Sequence, residues 1–135
     1  EVVATLGDAA FAAAGVSRQK REYLRGLAAA TLAEPALYDR LEDLPDEAVI
    51  ATLTAIKGIG RWTADMYLIF VLGRLDVLPL GDLSIRVAMT ELHGLKRDTK
   101  PKRLAALAEP WRPYRSVACW YLYRYLDQRP ASAKK

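Results

Sequence analysis

The chain has 135 residues, 52% of them hydrophobic and 27% charged, which is enough for one domain with a real core and too apolar for a disordered segment. Lysine and arginine number 20 against 16 acidic residues, and the net charge of +4 suits a polyanionic partner. A single cysteine, Cys119, excludes an intrachain disulfide framework and a cysteine-ligated iron–sulfur cluster, and it points to a reducing, cytoplasmic address.

Nearly every stretch predicts helix. Glu1–Ala14 reads as one amphipathic helix ended by Gly15, and its acidic opening is unlike the basic start of a secretion signal. Ser17 is placed to cap the next helix, RQKREYLRGLAAATLA, with Tyr23, Leu24 and Leu27 on its apolar face. PALYDRLEDL predicts a short helix, and Pro45 with Asp46 opens another that runs to about Ile56. Beyond a glycine-containing turn, a helix is expected from about Arg61 to Leu72. Its apolar run, MYLIFVLG, falls far short of the roughly 20 residues that cross a bilayer, so no membrane partner is expected. GRLDVLPLGD is a turn-rich loop, followed by helices over Leu83–Leu92, Lys102–Ala108 and Tyr114–Gln128. No segment alternates like a strand. The expected class is all-α: a compact helical domain over residues 1–128 with a hairpin at about 57–60, and a flexible basic tail over 129–135.

The hairpin LTAIKGIGRWTADM is the first place where chemistry shows. In KGIG each glycine is free to take a positive φ, and the missing Cβ lets backbone N–H groups approach an anion at the N-terminus of the following helix. Lys57, Gly58, Ile59, Gly60, Arg61 and Thr63 form the candidate DNA-binding set, because a basic glycine turn fits a phosphate backbone. A plain helix–turn–helix corner with a C-capping glycine is the competing explanation. Asp82, in LPLGDLSIR, stands directly before an apolar helical segment, as an N-cap does. A helix N-terminus also favours an ionised carboxylate, so capping and chemistry are compatible at this residue.

The segments LTAIKGIGRWTADM, VLPLGDLSIR and EPWRPYRSVACWYLYRYL together resemble the helix-hairpin-helix DNA glycosylase superfamily, in particular its alkylated-base branch, 3-methyladenine DNA glycosylase II. The resemblance runs from about Ala12 to Leu126, with Lys57 in place of the usual proline. It implies a DNA glycosylase-like fold and hydrolysis of the N-glycosidic bond of alkylated purines of the 3-methyladenine and 7-methylguanine type, in base-excision repair. It puts the catalytic aspartate at Asp82, where a fixed anion stabilises the oxocarbenium-like sugar as the base departs. Two residues after Gly60, bifunctional relatives carry a nucleophilic lysine; here Trp62 occupies the position, which implies a monofunctional enzyme.

The same resemblance assigns substrate binding to Trp62, Tyr123 and Met66, since electron-rich rings suit a flipped cationic purine. The partner is then double-stranded DNA with a flipped damaged base, and in a bacterium the working place is the nucleoid. No organic cofactor is expected. A structural monovalent cation, Na or K, is implied at the main-chain carbonyls of Thr54, Ile56 and Ile59. The family's upstream helices, with the residue wedged into DNA, are not found before Glu1, which leaves room for a preceding segment or a second chain to complete the fold.

Most of the aromatic side chains, Trp62, Tyr67, Trp111, Tyr114, Trp120, Tyr121, Tyr123 and Tyr125, are expected in the core. Asp65, Asp76 and Asp98 are expected to face solvent or serve structure, His93 to close a helix, and Cys119 to be a small buried hydrophobe. One His and one Cys cannot make a zinc site. A non-catalytic hairpin module that grips the DNA backbone is the alternative reading; it gives Asp82 no task beyond its cap.

Overall fold

The computed structural model describes residues 1–129, and every regular element among them is helical. In chain order these are α1 (Val2–Thr5), α2 (Asp8–Ala13), α3 (Arg18–Ala33), α4 (Leu37–Leu41), α5 (Asp46–Thr54), α6 (Arg61–Phe70), α7 (Leu83–Leu92), α8 (Pro101–Leu107), a 3-10 turn at Glu109–Trp111, and α9 (Arg115–Asp127). Of the tail expected over 129–135, residues 130–135 lie outside the described residues, while Arg129 pairs with Glu91. No helix among the described residues is long and apolar enough to cross a membrane. The chain divides into two compact units, Glu1–Ala64 and Asp65 onward.

In the first unit the single helix expected over Glu1–Ala14 is instead two. The break falls at Leu6–Gly7, both extended, and Gly7 caps α2. Glycine is a poor helix former, and the break is held from α3: Arg25 Nη2 donates to the Leu6 carbonyl at 2.8 Å. Asp8, in the first turn of α2, pairs with Arg21 and Arg25 at 2.9 Å each, and the Arg25 guanidinium lies 5.4 Å from the Phe11 ring centroid. Ser17 caps α3 as its sequence predicts, accepting from the Lys20 amide. Phe11, Leu37, Leu41, Val49, Ile50, Leu53 and Ile56 are buried, and full burial of such a side chain contributes about 1.5–3 kcal/mol.

The second unit is built on α7 packed against α9 and α8. Ile85, Ala88, Met89, Leu104, Ala108, Cys119 and Leu122 form its buried cluster, and Trp111, Tyr123 and Leu126 pack against it. Residues 75–77 of the loop before α7 are fastened to the start of α9. The Ser116 amide donates to the Leu75 carbonyl at 2.9 Å, and the Val77 amide donates to Ser116 Oγ at 2.9 Å. Arg115 holds Asp76 through Nε at 2.6 Å and Nη2 at 3.0 Å, and Arg112 adds a contact at 2.7 Å. The loop that delivers Asp82 is therefore anchored on α9.

The expectation that most aromatic side chains are core does not hold. Trp62, Tyr114, Trp120, Tyr121 and Tyr125 are all exposed. The buried residues of α9 are Ser116, Cys119 and Leu122, a narrow face of small and medium side chains, and the rings lie off it. They find each other instead: Trp120 and Tyr121 meet edge to face at 5.1 Å, and Arg124 covers the Trp120 ring at 5.8 Å.

Candidate functional site

The hairpin spans the end of α5 and the start of α6. Both glycines are free to take a positive φ, and only Gly58 does, at 101°. The asymmetry has a packing cause. A Cβ on Gly58 would lie 2.3 Å from Tyr23 Cγ, whereas a Cβ on Gly60 would meet nothing within 4 Å. Gly58 thus lets the turn close over the Tyr23 ring of α3, and Gly60 leaves open space beside the chain.

Within the turn the Ile59 amide donates to the Ile56 carbonyl at 3.0 Å, and the Gly60 carbonyl accepts from Ala64 at 3.1 Å, beginning the ladder of α6. Lys57, Gly58, Gly60, Arg61, Trp62 and Thr63 are exposed and Ile59 is half-buried, so this run offers backbone and cations to solvent together. Arg61 is engaged within the protein, donating to both oxygens of Glu47 at 3.0 and 3.3 Å. Such an exposed pair contributes little to stability and can exchange for a phosphate. Thr54 is the last residue of α5, Ile56 lies two residues on and Ile59 sits in the turn before α6; each has a neutral carbonyl oxygen. The Ile56 oxygen already accepts one amide and keeps one lone pair.

Asp82 is the N-cap of α7. Its Oδ1 accepts from the Ser84 amide at 2.7 Å and the Ile85 amide at 3.2 Å, and its residue surface is only 8% exposed. Its Oδ2 accepts from the Tyr123 hydroxyl at 3.1 Å. These donors favour the carboxylate form, as does the positive end of α7. The Tyr123 hydroxyl also lies 3.7 Å from Met66 Sδ, and the Tyr123 ring lies 6.5 Å from that of Phe70. Burial, and next the Asp82 charge, push the Tyr123 phenol well above its usual range, so it stays a proton donor at neutral pH.

The structure thus brings Met66 of α6, Asp82 at the head of α7 and Tyr123 of α9 to one point. Trp62 stands four residues before Met66 on α6 and is half-exposed. Asp65 is buried, and Asp76 is the structural partner of Arg115 and Arg112, whose guanidinium groups hold its carboxyl below its ordinary value. His93 closes α7 and lies 6.5 Å from the Trp111 ring, nearly parallel to it. Cys119 is buried, and desolvation pushes its thiol up to about 12. Among the described residues no cluster of three or more His, Cys, Asp or Glu could hold a metal ion.

Sequence reasoning missed the Asp76–Arg115 clasp, whose partners are 39 residues apart, and the Tyr123–Asp82 bond, whose partners are 41 apart. It also missed Phe70 beside Tyr123. The loop GRLDVLPLGD, with Asp76 and Asp82, and the segment EPWRPYRSVACWYLYRYL, with Arg115 and Tyr123, were both visible, but no local spacing links one to the other.

Residues 1–113 match the family described as HhH-GPD superfamily base excision DNA repair protein. The chain is similar to DNA-3-methyladenine glycosylase 1 of Schizosaccharomyces pombe, at 41% identity over 113 residues, covering 83% of this chain and 50% of that protein. It is also similar to the alkylbase DNA glycosidase-like protein mag2 of the same yeast, at 38% identity, covering 62% of this chain and 39% of that protein. Among solved structures, the S. pombe 3-methyladenine DNA glycosylase in complex with abasic DNA superposes with a TM-score of 0.85 at 36% identity, covering 98% of this chain and 64% of that one. The chain therefore spans half or less of the length of these two curated relatives.

Proposed function

The chain belongs to the HhH-GPD superfamily of base excision DNA repair proteins, and from that premise we propose that it works as a monofunctional DNA glycosylase. Its reaction is hydrolysis of the N-glycosidic bond of alkylated purines, of the 3-methyladenine and 7-methylguanine type, in duplex DNA with the damaged base flipped out. The relatives named for 3-methyladenine support the substrate class. The observation that carries the reading is the Asp82 carboxylate, nearly dry and held by the first amides of α7.

In the reaction the C1′–N bond breaks with its electron pair going to the alkylated base, which leaves as a neutral heterocycle because alkylation had made it cationic. The sugar gains positive charge, and the fixed carboxylate opposite stabilises it without reorganising. Water then adds to C1′, oriented by the same carboxylate, and its surplus proton passes to solvent. Trp62, two residues after Gly60, has no amine to attack C1′, so the product is an abasic site with an intact backbone. Trp62, Met66 and Tyr123 supply the apolar and aromatic surface for the cationic base.

The exposed run Lys57–Thr63 takes the DNA backbone through its N–H groups and cations, a grip that carries no base sequence. The carbonyls of Thr54, Ile56 and Ile59 fit a hard monovalent cation, which would brace the turn and contribute nothing to bond cleavage. A reducing compartment that holds the DNA, the nucleoid in a bacterium, is the matching address.

Asp82→Asn tests the reading on duplex DNA carrying 7-methylguanine. Base release is expected to fall about a hundredfold or more with binding retained, and borohydride to trap no covalent protein–DNA adduct. Unchanged release would leave a hairpin module that binds the backbone and does no chemistry.

A further inference from the structure

Asp82 is held at one oxygen by the backbone of its own helix, through the Ser84 and Ile85 amides. Those two bonds act on Oδ1, whereas Oδ2 takes a donor from elsewhere in the fold. The Tyr123 hydroxyl meets Oδ2 at 3.1 Å from a different helix, α9. We infer that Tyr123 is a positioning residue: its O–H donates to Asp82 Oδ2 and sets the plane in which the carboxylate meets the reacting sugar. The inference rests on the reading of Asp82 as the reacting carboxylate and adds to it a group that aims it.

Three observations carry the assignment. A phenol has one proton to donate, and of the two acceptors within its reach, Met66 Sδ at 3.7 Å and Asp82 Oδ2 at 3.1 Å, the charged oxygen is both nearer and much stronger. The ring that bears the hydroxyl is itself seated: it packs against the cluster of Ile85, Met89 and Cys119 and beside Phe70. Finally, α9 and the loop that leads to Asp82 form one anchored body, because Ser116 and Arg115 fasten Leu75–Val77 to the start of the helix that carries Tyr123. A donor on α9 is thus held in register with the loop whose end it orients. Electrostatic stabilisation of a cationic sugar depends steeply on where the negative oxygen sits, and misplacement by about 1 Å can cost two orders of magnitude in rate.

The polar end of Tyr123 therefore serves the carboxylate, whatever its ring offers to the base. A ring that only lines the pocket would change substrate affinity when altered; a hydroxyl that aims Asp82 would change the rate of bond cleavage.

The test uses the full-length protein on duplex DNA carrying 7-methylguanine. Tyr123→Phe removes the hydroxyl and keeps the ring, and kcat is expected to fall about tenfold with KM and the melting temperature unchanged. The same position carrying 4-aminophenylalanine restores an N–H donor in place of the hydroxyl and is expected to recover most of the rate. Three results would each overturn the inference: kcat kept by Tyr123→Phe, a loss that appears wholly in KM, or no recovery with 4-aminophenylalanine. Full release by Asp82→Asn in parallel would instead mean that the glycosylase reading itself is wrong, and the two failures are told apart on the same gel.

Discussion

The two oxygens of Asp82 face different kinds of partner, backbone amides on one side and a phenol on the other. One residue thereby starts a helix and presents a charge, and neither task disturbs the other, since the amides that cap the helix also favour the ionised form. Cys119 shows the opposite behaviour close by. It is fully buried in the α7–α9 cluster, its thiol is pushed up to about 12 chiefly by burial, and the Asp82 charge adds to the effect. The thiolate is the reactive species, so the native protein is expected to resist a disulfide reagent such as DTNB at pH 8 and to release one equivalent of chromophore per chain only after denaturation. Rapid reaction of the folded protein would show that the α7–α9 packing opens readily.

At the scale of elements, the turn between α5 and α6 separates two uses of glycine. Gly58 is required by shape: its φ of 101° and the Tyr23 ring against it leave no place for a side chain. Gly60 has room for one and an ordinary backbone, so any demand for glycine there comes from what approaches from outside. Gly58→Ala is accordingly expected to cost about 1–3 kcal/mol of stability in a thermal or urea melt. Gly60→Ala should stay within about 0.5 kcal/mol of the parent and yet weaken binding to damaged and undamaged duplex by the same factor. A loss confined to damaged DNA would contradict the backbone assignment. The sequence made the turn legible through KGIG and its flanking bases, but it gave both glycines the same standing. The difference is made by Tyr23, which lies 35 positions earlier and meets the turn only in the folded first unit.

For the molecule as a whole, the Asp76 clasp ties the loop before α7 to α9: Arg115 binds a side-chain oxygen and the Asp76 carbonyl while Arg112 adds a further contact. The hydrogen bond from Arg115 is the main cause that lowers Asp76 below its ordinary value of 3.8. A carboxylate depressed in the folded state contributes stability that is fully present above its unfolded value and disappears as pH falls through its folded value. Asp76→Asn is therefore expected to lower the melting temperature at pH 7 by about 5 °C and to flatten its decline below about pH 4. An unchanged acid limb would show that other carboxylates govern acid unfolding. The clasp also bears on the site, because it fastens the loop carrying Asp82 to the helix carrying Tyr123.

The sequence by itself determined the helical class, the caps at Ser17 and Asp82 and the glycine turn. All of these are local: they depend on propensity, capping and turn chemistry within a few residues. Tertiary structure decided the break at Gly7, which a guanidinium from α3 holds open, and the exposure of the α9 rings, set by which narrow face of that helix packs. It also decided the meeting of Met66, Asp82 and Tyr123, whose spacings of 57 and 41 residues follow no helical period. Hydrogen bonds within a turn are encoded where they form; a bond between distant segments exists only once the packing of α7 on α9 has set their separation.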